Sequence, residues 1–169
     1  MVDHTTESKR LDGAGLEGDV PITLRVVLTG MGGGLVGMIL MLPVLVGLPL
    51  AFDLFRADPI AEFAPFIAYL GVEPSLAVGI ALFVIGGTTV LPLIFVVVGA
   101  FMPPENPRYA RGITFATIFW FGFIMAFWPG GDLLTIALFL GVSLLAHWIY
   151  GAALGAFLVR TVGIPQHDV

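Results

Sequence analysis

Residues 26–50 contain no Asp, Glu, Lys or Arg, and three more uncharged stretches, 74–102, 112–131 and 133–159, follow before the chain ends. That pattern selects the solvent. The hydrocarbon core of a bilayer is roughly 30 Å thick, and a helix needs about 20 mostly apolar residues to cross it. Each stretch reaches that length, so the sequence predicts an all-α integral membrane four-helix bundle. A hydrophobic content of 58%, a charged content of 11% and a mean hydropathy of +1.02 fit that class and lie far from soluble-domain averages.

Four spans and their loops use nearly all of the 169 residues, leaving no room for a second folded domain. Residues 1–20 form a polar tail that buries too little to offset chain entropy and reads as disordered. Residues 21–162 form the bundle, and 163–169 a short C-terminal tail. The first apolar stretch is too long for a signal-peptide core and lacks a clear small-x-small cleavage site. With no cysteine, disulfides, thiolate metal sites and cysteine nucleophiles are excluded.

Basic residues set the orientation. Lys9, Arg10, Arg25, Arg108, Arg111 and Arg160 fall on one side of a four-span topology and Arg56 alone on the other. The positive-inside rule then puts both termini in the cytoplasm, with the protein in the cell membrane. A net charge of −5 with one lysine suits a salt-saturated cytoplasm, where hydrated carboxylates keep proteins soluble. An ordinary acidic tail would give the same balance.

The first outer loop is more than a connector. Asp58-Pro59 reads as an N-cap and first-turn proline, and Ile60, Phe63, Ile67 and Leu70 share one helical stripe. The expectation is a short amphipathic helix, kinked at Pro65, lying in the outer interface with Tyr69 at headgroup level. A packed loop lidding the bundle is the competing reading. Pro21 is expected to open the first helix. Met102-Pro103-Pro104-Glu105-Asn106-Pro107 forms a tight inner turn, and Trp128-Pro129-Gly130-Gly131-Asp132 an outer one. Leu42-Pro43 and Leu91-Pro92 sit in similar contexts but at opposite depths, so they define no inverted repeat.

Two groups of residues could carry function. The first is small. Gly30/Gly34 and Gly33/Gly37 in span one, and Gly151/Gly155 in span four, have the four-residue spacing that lets helix backbones approach. They serve packing within the bundle or docking of another subunit. Span three, carrying Phe115, Phe119, Trp120, Phe121, Phe123 and Phe127, would fill the grooves they leave.

The second group is polar. His147 is the one ionisable side chain near mid-membrane, with Ser143, Gly151 and Gly155 on its stripe and Tyr150 beside it. As neutral imidazole it has one donor and one acceptor to satisfy. Thr88 and Thr89 in span two, or Thr117 in span three, stand at matching depth. Three roles compete for it. A haem ligand would need a partner such as Met125, since no second intramembrane histidine exists. A proton path would need carboxylates or lysines that the spans lack. A structural interhelical hydrogen bond needs only a hydroxyl. No cofactor or metal site is expected, for His4 and His167 lie in the tails.

Absences narrow the function further. The chain has no nucleophile–base pair, paired carboxylates, metalloprotease helix or phosphate loop, and no basic cluster for nucleic acid. No enzymatic activity is expected.

A basic-flanked, glycine-crowded first span, four helices, and His147-Trp148-Ile149-Tyr150-Gly151-x-x-x-Gly155 in the last together resemble a family of small haloarchaeal membrane proteins. Their genes sit near those of haem–copper terminal oxidases, hence "cox cluster protein". The resemblance covers about residues 20–162, brings no active-site residues, and implies an accessory role near the respiratory chain. The expected function is therefore a non-catalytic accessory or assembly subunit, with the lipid bilayer and respiratory membrane subunits as partners. The alternative is a small homo-oligomeric channel or transporter with Thr88, Thr89 and His147 at a polar constriction.

Overall fold

The computed structural model describes residues 21–52 and 71–165. They form four helices: α1 (Leu24–Ala51), α2 (Leu76–Phe101), α3 (Ala110–Ala126) and α4 (Leu133–Thr161), with no strand among the described residues. Three of them, α1, α2 and α4, are long and apolar enough to cross a membrane. The tail before residue 21, the helix expected after Asp58-Pro59 and residues 166–169 lie outside the described residues.

Side-chain oxygens start three of the helices. Thr23 Oγ1 accepts from the Val26 N–H at 3.3 Å, Ser75 Oγ from Val78 at 3.3 Å and Asp132 Oδ1 from Thr135 at 2.7 Å. Each satisfies one of the four amide donors that a helix start leaves open. Thr23, rather than Pro21, opens α1. The third helix is shorter than the expected 112–131 span. It ends at Ala126 because Pro129 brings no N–H, and Gly130 and Gly131 turn the chain at φ +62° and +97°.

Both α1 and α2 contain a π-helical turn, at Pro43–Gly47 and Gly86–Val90. Each runs into a Leu-Pro pair, Leu48-Pro49 in α1 and Leu91-Pro92 in α2. The structural counterpart of Leu91-Pro92 is therefore Leu48-Pro49, not Leu42-Pro43. In α2 the Leu91 N–H reaches back five residues to Gly86 O. Pro92 has no N–H, so the Gly87 carbonyl is left without a donor from its own helix.

The glycines of α1 serve two neighbours. A Cβ on Gly30 would stand 2.9 Å from Val96 Cγ2, and one on Gly34 would strike the Pro92 ring and stand 2.8 Å from Gly87 O. Gly33 and Gly37 face α4 instead, where added carbons would lie 3.1 Å from Leu154 Cδ1 and 2.7 Å from the Tyr150 ring. At the far side of α4, a Cβ on Gly151 would collide with Gly112 O, and one on Gly155 with Tyr109 O. All six expected packing glycines thus face helices of the same chain. Successive contacts run in opposite senses along each pair, so neighbouring helices are antiparallel. Arg25, Arg108, Arg111 and Arg160 consequently belong to one end of the bundle.

The aromatic rings of span three do not fill the glycine grooves. Its rings meet α2: Phe115 lies 5.1 Å from Phe95, and Phe123 lies 6.3 Å from Phe83. Phe95, Phe115, Leu154 and Leu158 are fully buried. At the basic end, Arg111 Nε donates to Pro104 O at 3.2 Å and Thr114 Oγ1 to Pro103 O at 2.6 Å, tying the proline turn to α3.

Two outcomes follow. Gly112→Ala and Gly151→Ala should each cost about 1–3 kcal/mol, because backbone rather than a flexible side chain blocks the added carbon; thermal unfolding in detergent measures it. The Thr135 N–H holds the exposed Asp132 carboxyl below its usual range. Its stabilising share is present above the unfolded carboxylate value of about 4 and is lost as pH falls through the lower folded one. Replacing Asp132 by Asn should remove that part of the acid-side drop in unfolding temperature.

Candidate functional site

The polar residues expected on α4 converge inside the bundle. Ser143, His147 and Tyr150 are 1%, 7% and 2% exposed. One helical turn separates Ser143 from His147, and the imidazole Nδ1 lies 2.7 Å from the Ser143 carbonyl oxygen. A carbonyl only accepts, so Nδ1 carries the proton. In the neutral ring, Nε2 is then a bare acceptor, and it has no hydrogen-bond partner among the described residues. The imidazole is turned to the Ser143 carbonyl rather than to its hydroxyl, so the two side chains do not form a nucleophile–base pair.

None of the hydroxyls expected to pair with His147 does so, and two of the three are engaged elsewhere. Thr88 Oγ1 donates to Val84 O at 2.7 Å within α2. Thr117 Oγ1 donates to Ile113 O at 2.8 Å and accepts from Trp148 Nε1 at 3.0 Å. Thr89 is half-buried and makes no side-chain hydrogen bond among the described residues. Met125, the sulfur considered as an axial partner, is 84% exposed and so lies away from the buried imidazole.

The polar bonds between helices come from other residues. Tyr150 donates its hydroxyl to Gly87 O at 2.7 Å, supplying the carbonyl that the π turn and Pro92 leave open. Trp120 Nε1 donates from α3 to Ser143 Oγ at 2.9 Å, and Ser143 passes its own proton to Leu140 O at 3.3 Å. With Trp148→Thr117, these bonds stitch α3 to α4 in both directions.

Beside His147 and Tyr150 lies a cavity of about 250 Å³ to which all four helices contribute. Phe123 packs against the imidazole at 4.9 Å, and Phe83 and Phe119 add apolar wall. Gly86 and Gly122 also line it, and a Cβ on either would meet nothing within 4 Å. Their missing side chains keep the space open.

Sequence reasoning missed Gly87, Gly112 and this cavity. A proline's lost N–H, traced back four and five residues, would have marked the Gly87 carbonyl. Gly112-x-x-x-Ala116 is a small-xxx-small pair once alanine is counted, and it is what Gly151 meets. Nothing in the sequence marks Gly86 and Gly122 as walls of one space, because they come together only through packing.

Tyr150→Phe removes the one hydroxyl that reaches Gly87 O and leaves that carbonyl unpaired in apolar surroundings. The expected loss is about 1–2 kcal/mol, read as a lower unfolding temperature; Thr88→Val, which breaks only a bond within α2, should cost less.

Neither a curated protein nor a solved structure matches the chain. A family model matches residues 24–169, which take in all four helices and the turns between them. The chain therefore belongs to DUF6789, a family of unknown function.

Proposed function

We propose that this protein is a non-catalytic accessory or assembly subunit of a larger membrane complex, associated with a respiratory haem–copper terminal oxidase in a haloarchaeal cell membrane. The observation that carries the accessory reading is the inward closure of the polar groups. Ser143, His147 and Tyr150 are buried within one chain, and the bonds of Ser143 and Tyr150 hold its own helices together. A homo-oligomeric pore would need such groups along an outer stripe, where copies could share them.

The partner side is α3 and the neighbouring edge of α4. Ile118, Phe121 and Met125 expose one apolar ridge of α3, and Trp148 beside it is 44% exposed near mid-helix. Tryptophan at that depth is far from the headgroup level it usually occupies in contact with lipid. Its N–H is already held by Thr117, so it offers a partner only a flat apolar ring. The glycine faces are taken up by the chain's own helices and are not the docking surface.

Both termini are cytoplasmic in this reading, since the end of the bundle that carries Arg25, Arg108, Arg111 and Arg160 faces inward under the positive-inside rule. The oxidase association rests on the family resemblance, and the haloarchaeal setting on that resemblance together with the acidic, lysine-poor composition.

Purification of the tagged chain from native membranes in mild detergent should bring down oxidase subunits, with a haem signal in the reduced-minus-oxidised spectrum. Substituting Phe121 and Met125 together by Ala should abolish co-purification while leaving helicity and unfolding temperature unchanged. A homogeneous, haem-free homo-oligomer would refute the reading.

A further inference from the structure

His147 is 7% exposed, yet half of its hydrogen-bonding capacity is unused. Its Nδ1–H is committed to the Ser143 carbonyl, and Nε2 is a lone pair with no protein donor among the described residues. Nε2 is not enclosed by protein, and an acceptor left unmet in apolar surroundings is costly. The ring borders the cavity of about 250 Å³, so the unpaired acceptor and the space occur together.

The rest of the lining fixes what could fill it. Tyr150 has donated its proton to Gly87 O, so its oxygen too has only acceptor capacity left. The remaining side chains at the wall are aliphatic, aromatic or thioether. The cavity therefore offers lone pairs and no free N–H or O–H from a lining side chain. A ketone, an ester or an ether would find nothing to bind. A hydroxyl would.

Size and access agree. An apolar cavity of about 150 Å³ accommodates one benzene, so this one has room for two fused rings or one ring with a short chain. Phe83, Phe119 and Phe123 supply aromatic faces, and Gly86 and Gly122 leave the volume clear. A bilayer delivers lipid-soluble molecules to such a space without a water-filled route.

We propose that the cavity between the helices is a binding site for a small, lipid-soluble aromatic alcohol or phenol, whose hydroxyl donates to Nε2 of His147 while its rings pack among Phe83, Phe119 and Phe123. The site is independent of the accessory role and of any partner subunit.

The test uses the full chain in lipid nanodiscs, labelled with ¹⁵N-histidine, and two probes: 1-naphthol and 1-methoxynaphthalene. The methyl ether matches the naphthol in ring system but cannot donate. Naphthol should move the Nε2 resonance of His147 saturably and leave those of His4 and His167 in place. The ether should leave that resonance unmoved and compete about tenfold more weakly, the loss expected for one hydrogen bond. His147→Phe should erase the preference for the hydroxyl, and Gly122→Leu, which fills open space, should abolish binding of both probes with the unfolding temperature retained.

Three results would overturn the proposal. One is a non-saturable shift with both probes, which reports bilayer partitioning alone. Another is a resonance that naphthol cannot move, which means that water holds Nε2. The third is naphthol binding unaffected by Gly122→Leu, which places it elsewhere.

Discussion

In hydrocarbon, a helix gains nothing by turning leucines toward another helix rather than toward lipid, so apolar helices associate only through close backbone approach and paired polar groups. Everything in this bundle follows from that constraint. Gly30 and Gly34 admit α2, Gly33 and Gly37 admit α4, and Gly112 meets Gly151 backbone to backbone. With two small stripes on one helix, α1 holds two neighbours at once, and α4 repeats the device toward α3. The larger side chains act where backbones stand further apart: between α2 and α3 the contact is made by rings.

The prolines show how a cost in one helix becomes a bond between two. Pro92 deprives α2 of an amide donor, and the π turn before it moves the shortage onto Gly87. Tyr150 of α4 answers it, and Gly34 of α1 closes on the same turn. Three helices therefore meet where one of them is least regular. Irregular backbone is tolerated at membrane depth only where protein covers it, and here the cover is a phenol and a glycine.

Much of this was legible in the sequence. Charge-free stretches gave the helices, and the spacing of the α1 and α4 glycines gave their packing stripes, because both depend on one helix at a time. Helix ends were less legible. Two glycines with positive φ shortened α3, where hydropathy alone extended it to Gly131. Pairings between helices were the least legible. Depth along the spans matches His147 to Thr88, Thr89 and Thr117, but a hydroxyl within reach of its own helix carbonyl bonds there first, as Thr88 and Thr117 do. The imidazole follows the same rule, turning to Ser143 O. Tyr150, whose hydroxyl stands beyond a long rigid ring, is the side chain that reaches across.

The brevity of α3 bears on the membrane itself. At 1.5 Å per residue its 17 residues cover about 26 Å, against about 42 Å for the 28 residues of α1. The protein is therefore thin on one flank and thick on the other. Lipid meeting the thin flank must compress, at fractions of a kcal/mol per Å of mismatch, and lipid meeting the thick flank must stretch unless the long helices tilt. A neighbour whose own helix is equally short relieves that compression by sitting against α3. In the accessory reading proposed above, hydrophobic mismatch would favour company on the α3 side, for reasons of helix length alone.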